Sequence, residues 1–151
     1  RFMSHFGPKN QCGGSTTELV VNTTTADARK PAIASDSAGN NVYVAWQEYD
    51  TVTGFSNIFA RRYDINGCAL TTPVKVTTDQ ANLVRSNVDI TVDASGSVLL
   101  VWDEIPGSGP EAVYTWRLNA SLQLPGGSPT KVDAPPAFPP GADRATTASV
   151  A

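Results

Sequence analysis

The feature that most constrains this chain is a segment that occurs twice and begins a third time. From Arg29 the chain reads RKPAIASDSAGNNVYVAWQE, and from Arg85 it reads RSNVDITVDASGSVLLVWDE. The shared Arg, Gly and Trp of the second copy follow those of the first by 56, 57 and 56 positions. A repeat of this length with strand-like patterning predicts stacked β units such as propeller blades.

The repeat extends beyond this segment and divides the chain. The stretch from Thr17 to Arg29 recurs from Thr72 to Arg85, and a looser third copy runs from Thr130 to Arg144. We therefore expect the end of a preceding blade with its outer strand, two blade repeats and the start of a further blade, over residues 1–28, 29–84, 85–143 and 144–151 respectively.

Composition favours an all-β protein. The 151 residues are 40% hydrophobic, which is enough for one domain with a packed interior. Thr, Val and Ser are frequent, whereas the helix formers Lys, Glu and Leu are scarce. The net charge of −3 argues against a nucleic acid or an anionic membrane as partner. No run reaches the roughly 20 apolar residues of a membrane span.

The strand patterns predict four strands in each unit. The segments ending at Trp46 and Trp102 are apolar on both faces, as expected for central strands. Mixed segments such as the one at Val74 fit outer strands. We place the strands of the first copy near 32–35, before Trp46, at 57–63 and at 74–77. The expected fold is all-β, with antiparallel four-stranded blades, about two of them complete and two partial.

The predicted hairpin turns share one chemistry. Asp36 precedes Gly39 by three residues, and Asp93 precedes Gly96 in the same way. An Asp side chain accepts backbone N–H bonds in such turns, and Gly adopts positive φ at little steric cost. These aspartates are therefore interpreted as structural.

Segments of the form P.IA.D..GN.YVAW, followed by NIFARRYD.NG, resemble the repeats of sialidase-like (BNR-type) β-propeller proteins over about residues 15–150. The resemblance implies a propeller. The family includes sialidases, other glycoside hydrolases, lectins and structural surface proteins, so it implies no single activity. Ser35 and Asp36 are adjacent here, whereas the sialidase Asp box separates these residues by one position. No residue is therefore predicted to be catalytic.

Four residues are candidates for ligand binding. Arg29, Arg85 and Arg144 open successive copies, and guanidinium groups bind carboxylates bidentately. Trp116 lies outside the register of the two repeated tryptophans and is the candidate exposed aromatic residue. The repeated Trp46 and Trp102 are interpreted as core residues.

The cysteines and sequons allow modifications but no metal site. Cys12 and Cys68 form no CxxC pair, and the chain has one histidine, so we predict no bound metal. A disulfide between the two cysteines is an open alternative to free thiols. Asn22 and Asn119 begin N-glycosylation sequons.

We hypothesise a non-enzymatic, secreted or cell-surface propeller module that acts in binding or assembly and needs no cofactor. Its expected partners are other blades of a longer chain, further copies of itself in a ring or a filament, or a glycan. One alternative is part of a sialidase-like glycoside hydrolase, and another is a carbohydrate-binding lectin.

Overall fold

The computed structural model describes residues 21–22 and 26–132, and nearly all of this part belongs to two antiparallel sheets. Sheet 1 contains β1 (Asp27–Ser35), β2 (Asn41–Tyr49), β3 (Ser56–Asp64) and β4 (Val74–Lys75). Sheet 2 contains β5 (Leu83–Val92), β6 (Val98–Pro106), β7 (Ala112–Leu118) and β8 (Thr130–Lys131). The described residues include no helix. The prediction of an all-β chain with four antiparallel strands in each unit is confirmed.

Each sheet is a simple meander in which strands adjacent in the chain are paired. The same aromatic contact recurs within each sheet. Trp46 stacks on Phe59 with ring centroids 6.0 Å apart, and Trp102 stacks on Tyr114 at 6.3 Å. Such aromatic cross-strand pairs stabilise a sheet because the two rings bury large apolar areas against each other. The sequence repeat is therefore a repeat of structure.

The predicted hairpin turns are present. The Oδ1 atom of Asp36 accepts two backbone N–H bonds at 2.8 and 3.2 Å, and that of Asp93 accepts two at 2.9 and 3.0 Å. Gly39 and Gly96 have φ angles of +68° and +81°. Both the structural role of the aspartates and the positive φ of the glycines are confirmed.

Each sheet has two faces, which we name from its central strand. On the front face lie Trp46 in sheet 1 and Trp102 in sheet 2, and on the back face lie the neighbouring residues Ala45 and Val101, because side chains alternate along a strand. The back face of sheet 1 packs against the front face of sheet 2 to form one apolar core, with the fully buried Ile58 as one of its members. The two sheets thus form one continuous body.

The first strand of each sheet carries a β-bulge at the same place in the ladder. The shift lies between Arg29 and Ala32 in β1, and between Ser86 and Asp89 in β5. The bulges contain Lys30 and Asn87, whose φ angles of 48° and 51° are uncommon for residues other than glycine.

Candidate functional site

Arg85 is buried at the interface between the two sheets, with 3% of its surface exposed. Its Nε donates to Glu104 Oε1 at 2.8 Å. Its NH1 group donates to the carbonyl oxygens of Ser56 and Thr78 at 3.2 and 3.0 Å and to Asn57 Oδ1 at 3.1 Å. These donors are used within the protein, so the side chain ties sheet 2 to the start of β3 and to the segment after β4 in sheet 1.

Ser56 completes this inter-sheet cluster. Its side chain is fully buried, and its hydroxyl both donates to the Arg85 carbonyl oxygen and accepts from the Arg85 backbone N–H, each at 2.7 Å. The hydroxyl therefore replaces the main-chain partner that a neighbouring strand would supply. We call Arg85, Glu104 and Ser56, with the groups that they bind, the inter-sheet latch.

Glu104 belongs to a unit that both copies share. The Trp102 indole N–H donates to Glu104 Oε1 at 3.2 Å, and the Trp46 indole donates to Glu48 Oε1 at 2.9 Å. Residues two apart on a strand lie on the same face, which explains the recurrence of Trp, any residue, Glu in the sequence. The interpretation of Trp46 and Trp102 as core residues is confirmed, since both are buried.

Arg29 lies at the surface, unlike Arg85. It forms an ion pair with Asp27 and lies over the Tyr49 ring at 5.1 Å. The hydrogen bond from Arg29 lowers the pKa of the Asp27 carboxyl group. Since both partners are exposed, this pair has free access to solvent.

The strand ladder explains why the two arginines differ. Arg29 pairs with Gln47, one residue after Trp46, whereas Arg85 pairs with Glu104, two residues after Trp102. A difference of one position turns a side chain to the opposite face of its sheet. Arg29 and Arg85 therefore match in the sequence repeat but not in their positions along the strand ladder. The third arginine, Arg144, lies outside the described residues, so binding of an anion by the three remains a prediction.

Trp116 is half-buried and packs against the edge of the core cluster. Asn119 is exposed, but its amide is used in the turn after β7, donating to Gln123 Oε1 at 2.7 Å and accepting two backbone N–H bonds at 2.9 Å each. Asn22 is half-buried. Cys68 is disulfide-bonded, and the other cysteine of the chain, Cys12, lies outside the described residues.

The two bulge residues contact each other, which the sequence does not reveal. Lys30 Nζ donates to Asn87 Oδ1 at 2.6 Å, and Asn87 Nδ2 donates to Asp103 Oδ2 at 2.7 Å. Asp103 is buried, so the amide connects a buried carboxylate to an exposed ammonium group. The contact also shows that β1 and β5 lie side by side.

Residues at matching positions of the two sheets differ in their exposure to solvent. Ile33 and Ile90 occupy matching front positions three residues before Asp36 and Asp93, yet Ile33 is 58% exposed and Ile90 is 3% exposed. The reverse holds at the outer strands, where Val76 is 1% exposed and Val132 is 58% exposed.

The match between Val76 and Val132 rests on a shared hydrogen bond. Val76 N–H donates to the Ile58 carbonyl, and Val132 N–H donates to the Val113 carbonyl, both at 2.8 Å. The front of sheet 1 and the back of sheet 2 therefore expose residues whose counterparts are buried between the sheets. Part of the front is covered near Arg61, whose NH1 donates to the Val21 carbonyl.

The described residues include a cleft that is lined without charged side chains. This shallow cleft lies beside the start of β5 and is lined by Ala81, Asn82, Pro106, Gly107 and Ser108. In the same part of the chain, no group of three or more His, Cys, Asp or Glu side chains is placed to hold a metal ion. No helix among the residues described is long and apolar enough to cross a membrane.

Comparison with protein-family models, curated proteins and solved structures finds no match to this chain.

Proposed function

We propose that this chain is a non-catalytic, secreted or cell-surface β-propeller module that acts in binding or assembly, and that its two sheets are adjacent blades. The observation that carries the proposal is the reversal of exposure between the copies. Ile90 is buried by the blade before it and Ile33 is exposed, whereas Val76 is buried by the blade after it and Val132 is exposed. Large exposed apolar residues at matched positions favour a binding surface.

The arrangement of the strands supports the proposal. The first strands of the two sheets lie beside each other, joined by Lys30 and Asn87. The described outer strands β4 and β8 make no mutual contact. Sheets that approach at their first strands and separate at their last are expected of blades around an axis.

The internal contacts of the Arg85 side chain favour this function over glycoside hydrolysis. In a sialidase-like site, free guanidinium groups would meet the carboxylate of the substrate. Here Arg85 is buried and ion-paired with Glu104. A substrate would have to displace an internal partner, and an unpaired buried carboxylate is costly.

Turnover is the first test. The purified chain is incubated with a panel of aryl glycosides that includes sialosides, beside a matched Arg85→Met variant. We expect no release of aglycone from either protein. Turnover by the wild type that is lost in Arg85→Met would contradict the proposal and favour the glycoside hydrolase. Sugar binding without turnover, read on the same panel as immobilised glycans, would identify the binding partner as a carbohydrate and favour the lectin.

A further inference from the structure

One contact between the sheets identifies where a further sheet would bind. The Tyr43 hydroxyl, on the back of sheet 1, donates to the Ala120 carbonyl in the turn after β7, at 3.0 Å. Tyr43 is buried by this packing. The contact therefore pairs one position on the back of a sheet with one position in the turn of the following sheet.

Both positions have counterparts in the other copy. Leu99 corresponds to Tyr43, because each lies three residues before the tryptophan of its central strand. Ile65 corresponds to Ala120, because each follows the residue that opens the turn after the third strand, Asp64 or Asn119.

The two turns have the same hydrogen bonds. Asp64 Oδ1 accepts the backbone N–H groups of the second and fourth residues after it, at 2.9 and 2.8 Å. Asn119 Oδ1 accepts the corresponding N–H groups at 2.9 Å each. Leu122 even adopts a φ of +59° where the first copy has Gly67 at +82°. The correspondence of Ile65 with Ala120 therefore rests on matching hydrogen bonds and backbone φ angles in the two turns.

Both counterparts are at least partly exposed. Ile65 is 52% exposed, and Leu99 is half-buried, whereas Tyr43 is 1% exposed. Ile33 lies on the front of sheet 1, the side to which the correspondence with Ala120 assigns Ile65, and Val132 lies on the back of sheet 2 with Leu99. Ile33 and Val132 are both 58% exposed. The chain thus carries both halves of an interface that it forms once internally.

We infer that a second copy of this chain occupies these surfaces, with Leu99 of one copy packed against Ile65 of the next. The inference rests on the proposed function and adds the partner and the contact. Because the two surfaces differ, the interface is heterologous and runs head to tail. Copies joined in this way form a ring if the rotation closes and a filament if it does not.

The geometry allows a test by cross-linking. Within one copy, the correspondence with Ala120 assigns Ile65 to the front side of sheet 1, and Leu99 lies on the back of sheet 2, so both sheets lie between the two residues. Face-to-face sheets are about 10 Å apart, so two sheet layers separate the residues by roughly 20 Å. A short-spacer bismaleimide that joins a cysteine at position 65 to one at position 99 must therefore join two copies. Cys68 is disulfide-bonded and does not compete for the reagent.

The Ile65→Cys and Leu99→Cys variants of the 151-residue chain are mixed in equal amounts, treated with the bismaleimide and separated by denaturing electrophoresis. Each variant alone and a mixture of Val52→Cys with Leu99→Cys are the controls, since Val52 is 92% exposed in the turn between β2 and β3, at the other end of the same sheet. We expect a product of two chains at several times the yield of every control. The Ile65→Cys/Leu99→Cys double variant should give a ladder of multimers, which ends at a fixed size if the assembly is a ring.

A yield no higher than that of the Val52→Cys mixture would overturn the inference. This result would leave the proposed function standing, with a partner other than a second copy on these surfaces. Conversely, glycoside turnover together with the expected cross-link would overturn the proposed function and retain the contact. Failure of the inferred contact and failure of the proposed function are therefore distinguishable.

Discussion

Replacing Arg85 by alanine tests the inter-sheet latch. The change removes the ion pair with Glu104 and the three hydrogen bonds that NH1 donates to sheet 1. Because Arg85 is 3% exposed, water does not replace the lost donors. Removing one partner of a buried ion pair destabilises a protein by about 3–5 kcal/mol. In a chain of this size the melting temperature should fall by roughly 6–20 °C.

Arg29→Ala is the matched control. Arg29 also opens a repeat and also pairs with a carboxylate, but its ion pair with Asp27 is exposed and screened by solvent. The free energy of unfolding is measured by urea denaturation of the wild type and both variants, with fluorescence of the buried tryptophans as the signal. We expect a far smaller loss for Arg29→Ala than for Arg85→Ala. Equal losses in the two variants would refute the assignment of Arg85 as the residue that joins the sheets.

Three further predictions concern single side chains. Ser56→Ala removes both bonds to the Arg85 backbone and should lower the free energy of unfolding in urea by about 1–3 kcal/mol, and no loss would contradict that role. Leu122→Ala should cost about 2–5 kcal/mol by the same measurement because Leu122 is 1% exposed, whereas the exposed Leu124→Ala should change little. The Ser95 hydroxyl is the main cause that lowers the pKa of Asp93 from 3.8 to about 2, so stability from this carboxylate is present above pH 4 and lost as the pH falls toward 2. Urea titrations from pH 6 to pH 2 should show a weaker acid-induced loss for Asp93→Asn, and an unchanged loss would contradict this assignment.

Much of the fold is predictable from the sequence because the repeat supplies two independent readings of each strand. Apolar residues on both faces identify β2 and β6 as central strands, and Asp36 and Asp93 identify their turns. The observed strands overlap the segments expected in the first copy, although β1 begins earlier, at Asp27, and β4 ends at Lys75 instead of at residue 77. Its first residues are polar and exposed, so their pairing with β2 leaves no hydrophobic pattern to detect.

The site is less predictable because a one-residue difference in length decides the face on which a side chain lies. Arg29 lies seven positions before Asp36, whereas Arg85 lies eight positions before Asp93, so the two arginines pair at different places in ladders whose bulges match. Only a model of the ladder reveals that one is buried and the other exposed. The contact of Lys30 with Asn87 is likewise not predictable from the sequence, because it joins residues 57 positions apart whose places in the two bulges are shown only by the strand register. The structure thus shows a lysine and an asparagine at bulge positions with positive φ, where glycine meets the least steric cost.

We propose that the surface around the exposed Ile33 on the front of sheet 1 and the surface around the exposed Val132 on the back of sheet 2 bind further sheets, although other front residues such as Trp46 are buried. The most direct measurement is the mass and shape of the purified chain, by light scattering over a concentration series and electron microscopy of the same samples. The wild type should reach multiples of 15.9 kDa with sheets arranged around an axis, Val52→Asp should behave like it, and Ile33→Asp should remain smaller. A folded wild type that stays at 15.9 kDa at every concentration would contradict assembly between copies of this chain.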